Sequence, residues 1–133
     1  MPNFSLPIRV YYEDTDTQGG VYYVNYLKYM ERARTEWLRS LGVNQSQLDV
    51  VFVVQKANVE YKQPARLDDE LTASLQVSAI KAAQIIFKQQ ILLNGQLVCA
   101  AEVAVVCVNR QTFTPCRLPA ELRLKIQPQP TPN

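Results

Sequence analysis

The chain has 133 residues, 47% of them apolar and 20% charged, with a net charge of +2; this describes one soluble globular domain long enough to build a real core. So small a charge excludes a basic field that could hold nucleic acid through its phosphates, and no stretch approaches the roughly 20 apolar residues of a membrane span. The count of 0 histidines excludes Ser-His-Asp and Cys-His nucleophile systems, histidine zinc sites and histidine acid/base work.

In chain order, the N-terminal MPNFSLPIRVYYEDTD carries neither a basic n-region nor an apolar h-region, so a cytoplasmic location is expected. Within it, PIRVYYED is β-branched and aromatic enough for a first strand, closed by the Asp/Thr/Gly cluster of residues 14–20. From Tyr23 the apolar residues Tyr23, Tyr26, Leu27, Met30, Ala33, Trp37, Leu38 and Leu41 recur at spacings of three and four. That period predicts a helix of about 18 residues, roughly 27 Å long, with one buried stripe. Glu31 with Arg34 and Arg32 with Glu36 are spaced to pair on its exposed side, and Gly42 is the expected stop.

Four strands should follow: VVFVVQKANVEYKQP, LTASLQVSAIK, AQIIFKQQILL and QLVCAAEVAVVCVN, with Asn94-Gly95 as the hairpin turn between the last two. In PARLDDEL, turn chemistry before a strand is expected, with Arg66 paired to a neighbouring carboxylate. Cys99, Cys107 and Cys116 are odd in number and lack C-x-x-C spacing, which argues against a disulfide framework or a zinc site. Cys99 and Cys107, an even number of positions apart, should face the same side of a strand as small buried hydrophobes. The domain is expected over residues 1–126, with the proline-rich QPQPTPN of residues 127–133 as a disordered tail.

One strand, one long helix and four more strands make an α+β pattern in which a five-stranded antiparallel sheet must cover the helix, the hotdog arrangement. The open edges of such a sheet are a liability that a second copy removes, so a homodimer or homotetramer is expected.

PIRVYYEDTD, the glycines after it, YMERARTEWLR, VEYKQPARLDDEL and EVAVVCVN together resemble the hotdog-fold acyl-CoA thioesterases of the 4-hydroxybenzoyl-CoA thioesterase class, most closely the Tol-Pal-associated YbgC type. The resemblance runs from about Pro7 to Leu124. It implies hydrolysis of an acyl-CoA, or of an acyl-carrier-protein thioester, to the acid and the free thiol. No metal and no bound cofactor are implied, coenzyme A being part of the substrate. The family's catalytic aspartate, nucleophile or general base, falls on Asp16, and its oxyanion-binding helix-start amide falls on or beside Tyr23. Many YbgC-type members carry histidine where this chain has Tyr23.

The residues make physical sense of these positions. Helix-start amides lack intrahelical acceptors and carry partial positive charge, suited to an oxyanion. Gly19 and Gly20 would let the backbone approach a ligand and take unusual φ values, and Tyr26 is a third candidate substrate contact. Read as residues alone, Asp14 and Asp16 are more often caps or turn formers, and tyrosines at helical spacing more often pack a core. The resemblance favours catalysis for Asp16 and leaves Asp14 as a turn former. Glu31 reads as a surface carboxylate. The competing reading is a non-catalytic hotdog that binds acyl thioesters or adapts one protein to another.

Overall fold

The computed structural model describes residues 4–126; the tail expected over residues 127–133 lies outside them. Seven elements follow in order: β1 (Phe4–Arg9), α1 (Tyr23–Ser40), β2 (Val50–Tyr61), β3 (Glu70–Ile80), β4 (Gln84–Leu93), β5 (Gln96–Asn109) and α2 (Ala120–Lys125). The five strands form one sheet in the order β1-β3-β4-β5-β2, every neighbouring pair antiparallel. This is the hotdog architecture, a sheet curled round one helix. Register shifts at Val54/Lys56, Val77/Ala79 and Ile91/Leu92 add local twist that helps the strands wrap.

Alternation along β3, β4 and β5 sends Leu71, Leu75, Ile85, Phe87, Ile91 and Val103 inward, where they meet Tyr29, Met30, Ala33, Trp37 and Leu38 of α1. Each fully buried large apolar side chain contributes about 1.5–3 kcal/mol. Trp37 stands edge-on to Phe87, ring centroids 5.6 Å apart, the arrangement that aromatic quadrupoles favour. At the C-terminal end of α1 the chain turns on Gly42 at φ 81°. The amides of Gly42 and Val43 donate to Arg39 O and Leu38 O, both at 3.0 Å, so the last carbonyls are satisfied in a Schellman turn. Asn94 and Gly95 both take positive φ, 51° and 78°, as a tight hairpin requires.

Four expectations need correction. The first strand stops at Arg9, and Tyr12–Asp14 forms a 3-10 turn, because the Val10 amide donates to Asp69 O and the Tyr11 amide to Asp14 Oδ2, both at 2.9 Å. On α1 the buried stripe includes Tyr29 and not Tyr23, which is 57% exposed. The helical ion pair is Glu36 with Arg39: Arg34 instead turns inward to Gln89, and Arg32 lies over the Tyr29 ring. Within PARLDDEL, Arg66 meets a carboxylate only through its backbone amide, which donates to Asp69 Oδ2 at 2.8 Å, while the ion pair formed there joins Glu70 to Arg9 at 2.7 Å. Helix α2 was not anticipated, since its six residues are too few to display a period; it docks through Leu122, with Leu118 and Ile126 buried on either side.

One polar group is locked into the core. Gln89 on β4 is 1% exposed; its Nε2 donates to Met30 O at 2.9 Å and its Oε1 accepts from Arg34 Nη1 at 2.8 Å. Both halves of the amide are thus satisfied, as burial demands. Burial lowers the Arg34 pKa and Glu31 opposes that shift. Among the described residues no helix is long and apolar enough to cross a membrane.

Candidate functional site

The loop between β1 and α1 folds back on the helix start and presents two aspartates in opposite directions. Asp14 points inward and is 5% exposed. Its Oδ2 accepts the Tyr11 amide at 2.9 Å and its Oδ1 accepts Asn25 Nδ2 at 2.7 Å. Its backbone oxygen accepts the Tyr22 amide at 2.9 Å. Asp14 therefore fastens the loop to the first turn of α1. Beneath it, Tyr29 Oη is buried with no hydrogen-bond partner among the described residues. Burial first, and then the neighbouring Asp14 carboxylate, raises the Tyr29 pKa.

Asp16 is exposed and occupies the corner of a tight turn. Its amide donates to Gly20 O at 2.9 Å, its carbonyl accepts the Gly19 amide at 3.0 Å, and its Oδ1 accepts the Gln18 amide at 2.9 Å. This Asx turn fixes the carboxyl group while leaving Oδ2 without a partner among the described residues. The two glycines differ. Gly19 sits at φ 83° with open space around it, where a side chain would strain the backbone. Gly20 has ordinary φ and bridges to Arg66, its missing Cβ 3.6 Å from Ala65 O.

Helix α1 begins without the usual cap. The N-cap residue is Tyr22, with no side-chain cap hydrogen bond, where Ser, Thr, Asp or Asn would normally serve. The Asn25 amide donates back to Tyr22 O at 2.8 Å. The amides of Tyr23 and Val24 have no acceptor among the described residues. They are the free positive end of the helix dipole, beside the turn that holds Asp16.

Tyr26 is in the core, 3% exposed, and its hydroxyl accepts the Ala65 amide at 3.0 Å. Ala65 O in turn accepts the Val21 amide at 2.9 Å. Tyr26 thus ties the segment after β2 to the segment entering α1, and burial raises its pKa. Tyr61, at the end of β2, stands edge-on to Tyr23 with centroids 6.0 Å apart, bringing the exposed strand edge beside the helix start. Neither Tyr61 nor the Asp14–Asn25 bond was legible in advance, because each joins residues with no local pattern between them.

Farther along α1, a groove of about 340 Å³ opens between the helix and the edge of the sheet, lined by Trp37, Leu38, Phe52, Val54, Phe87 and Val105, with Glu31, Arg34 and Thr35 among its polar residues. Glu31 is exposed there and lies away from the amides of the first turn.

Residues 10–126 match the model of the thioesterase-like superfamily. An acyl-CoA thioesterase YbgC from Haemophilus influenzae is 42% identical over 124 residues, covering 90% of this chain and 91% of the relative. An acyl-CoA thioester hydrolase YbgC from Escherichia coli O6:H1 is 43% identical over 123 residues, covering 90% and 92%. Among solved structures, that of a probable thioesterase from Bartonella henselae superposes with a TM-score of 0.83 at 33% identity, covering 86% of this chain and 98% of the other.

Proposed function

The chain belongs to the thioesterase-like superfamily, and from that premise we propose that it hydrolyses acyl-CoA thioesters to the free acid and coenzyme A. The observation that carries the reading is the uncapped start of α1, with the Tyr23 and Val24 amides open beside a turn-held, exposed Asp16. In this reading the thioester carbonyl oxygen points at the amides. As the carbonyl is attacked, its oxygen gains negative charge, and prepositioned donors stabilise that charge more than they stabilise the ground state. Asp16 supplies the other half, either attacking the carbonyl carbon or drawing a proton from water that does so. Gly19 and Gly20 keep the approach free of side chains, and Tyr26 acts by holding Ala65 and Val21 in place. An acyl-carrier-protein thioester presents the same reacting atoms and belongs to the same proposal.

A homodimer is part of this reading. The two sheet edges differ: β1 has six residues with Pro7 among them, whereas β2 has twelve, with Val53, Val54 and Tyr61 exposed. Proline interrupts edge pairing, and a long apolar edge invites it. Two-fold pairing would run two β2 strands antiparallel. The groove end of one copy would then lie beside Tyr61 and the helix start of the other, where the apolar groove could shelter the acyl group. Static light scattering should report about twice the 15.1 kDa of the chain, or four times it.

The decisive experiment is thiol release from a panel of acyl-CoA esters, from short aliphatic to aromatic. Turnover of at least one class is expected. Tight binding of acyl-CoA without thiol release from any ester would favour the non-catalytic reading.

A further inference from the structure

Two of the three cysteines meet at the far end of the sheet, away from the Asp16 loop. Cys107 lies near the end of β5, and Cys116 in the segment that leaves β5 and runs back beside it. The Cys116 amide donates to Cys107 O at 2.9 Å, and the next residues, Val108 and Pro115, form an antiparallel bridge. Facing residues of such a ladder have Cα atoms about 4.5–5.5 Å apart, inside the roughly 4.4–6.8 Å that a disulfide spans. Their sulfurs are 3.8 Å apart, and both thiols are free. Cys99 lies eight positions back along β5, about 26 Å away at about 3.3 Å per residue, and cannot join them.

We propose that Cys107 and Cys116 form a reversible oxidation site, closed to a disulfide by hydrogen peroxide, that pins the segment after β5 to the sheet. The roles follow from access. Cys116 is partly exposed and Cys107 fully buried, so the peroxide meets Cys116. The Cys116 sulfur attacks a peroxide oxygen, breaking the O–O bond, and leaves as a sulfenic acid while one water is released. The Cys107 sulfur then attacks the sulfenic sulfur; the S–S bond forms, the S–O bond breaks, and the departing hydroxide takes the Cys107 proton as a second water. Two thiols have lost two protons and two electrons, and the peroxide has been reduced to two waters. Burial, reinforced by Cys116, pushes the Cys107 thiol up to about 12, so Cys107 stays protonated and does not compete with Cys116 for the peroxide, which a thiolate attacks.

The bond would act on the C-terminal part of the fold. The Leu118 amide donates to Ala82 O at 2.9 Å, and Arg123 Nη2 donates to Lys81 O at 2.6 Å. Residues 116–123 thus carry α2 onto the β3–β4 turn, and a bond at Cys116 fastens the start of that span.

The test is to treat the native protein with a few equivalents of hydrogen peroxide and count free thiols. They should fall from three to one, with the intact mass lower by two hydrogens and both changes reversed by a dithiol reductant. Glu102 and Arg110 separate the three cysteines, so a non-reduced digest with trypsin and a glutamate-specific protease should yield the Cys107 and Cys116 peptides joined and the Cys99 peptide free. Cys99→Ser should behave as wild type, and Cys107→Ser should leave Cys116 as a sulfenic or higher acid. The oxidised protein should melt about 5 °C higher than the reduced one, as a closed loop constrains the unfolded chain. Three surviving thiols, a bond involving Cys99, a dimer linked through Cys116, or a lower melting point on oxidation would each overturn the proposal. None of these results bears on thioester hydrolysis at Asp16.

Discussion

Asp14 and Asp16 stand two residues apart on one loop, and they differ in almost every physical respect. Asp14 faces inward, 5% exposed, with an oxygen each for the Tyr11 amide and Asn25. Asp16 faces outward, fixed at one oxygen by the Gln18 amide and without a partner at the other among the described residues. A buried carboxylate with a partner at each oxygen is placed to hold structure. An exposed one, held by a turn, can meet a substrate without first leaving a partner. The same division runs through the tyrosines, with Tyr26 and Tyr29 buried below and Tyr22 and Tyr23 exposed above.

The sharpest way to break this contrast is to neutralise each carboxylate in turn. Asp16→Asn removes the charge and keeps the size, so kcat should fall by about 10²- to 10⁴-fold with KM changed far less. Its denaturant midpoint should stay near wild type, because Asp16 makes only a local turn. A folded Asp16→Asn protein that retains kcat within about tenfold would send the search for the reacting group to other carboxylates.

Asp14→Asn should act on stability. The asparagine offers one oxygen where two acceptors are needed and loses the charge that strengthens both bonds, so the cost should be about 1–3 kcal/mol. Equilibrium urea unfolding reads this directly, and the loss in kcat at a temperature where the variant is folded should be much smaller than for Asp16→Asn. Were Asp14→Asn to abolish turnover while unfolding at the wild-type urea concentration, the two roles would have to be exchanged.

The smallest effect should come from Tyr23→Phe. The backbone amide of Tyr23 is the proposed donor, and the phenol is not needed for it. Activity should stay within a few-fold of wild type. A loss beyond about a hundredfold, the size of a missing oxyanion donor, would assign the phenol a direct part.

Much of the fold could be read from neighbouring residues. The spacing from Tyr23 to Leu41 marked a helix that does run over Tyr23–Ser40, and Asn94-Gly95 marked the hairpin between β4 and β5. Such features depend on the period of side chains along a helix or strand and on the φ that a residue tolerates, and a linear chain displays both. The candidate site was legible in part. Resemblance singled out Asp16 and the Tyr23 amide, yet without it either aspartate could have been a simple cap.

What had to wait for the tertiary structure is whatever depends on which side of the loop packs against the core. Asn25 is the partner of Asp14, eleven positions away; Ala65 is the partner of Tyr26, thirty-nine away; Cys116 faces Cys107 across a return of the chain. Local spacing carries no information about such pairs, because they form only when distant segments meet. The same packing decides exposure, and exposure is what separates a carboxylate that holds the loop from one that can face a substrate.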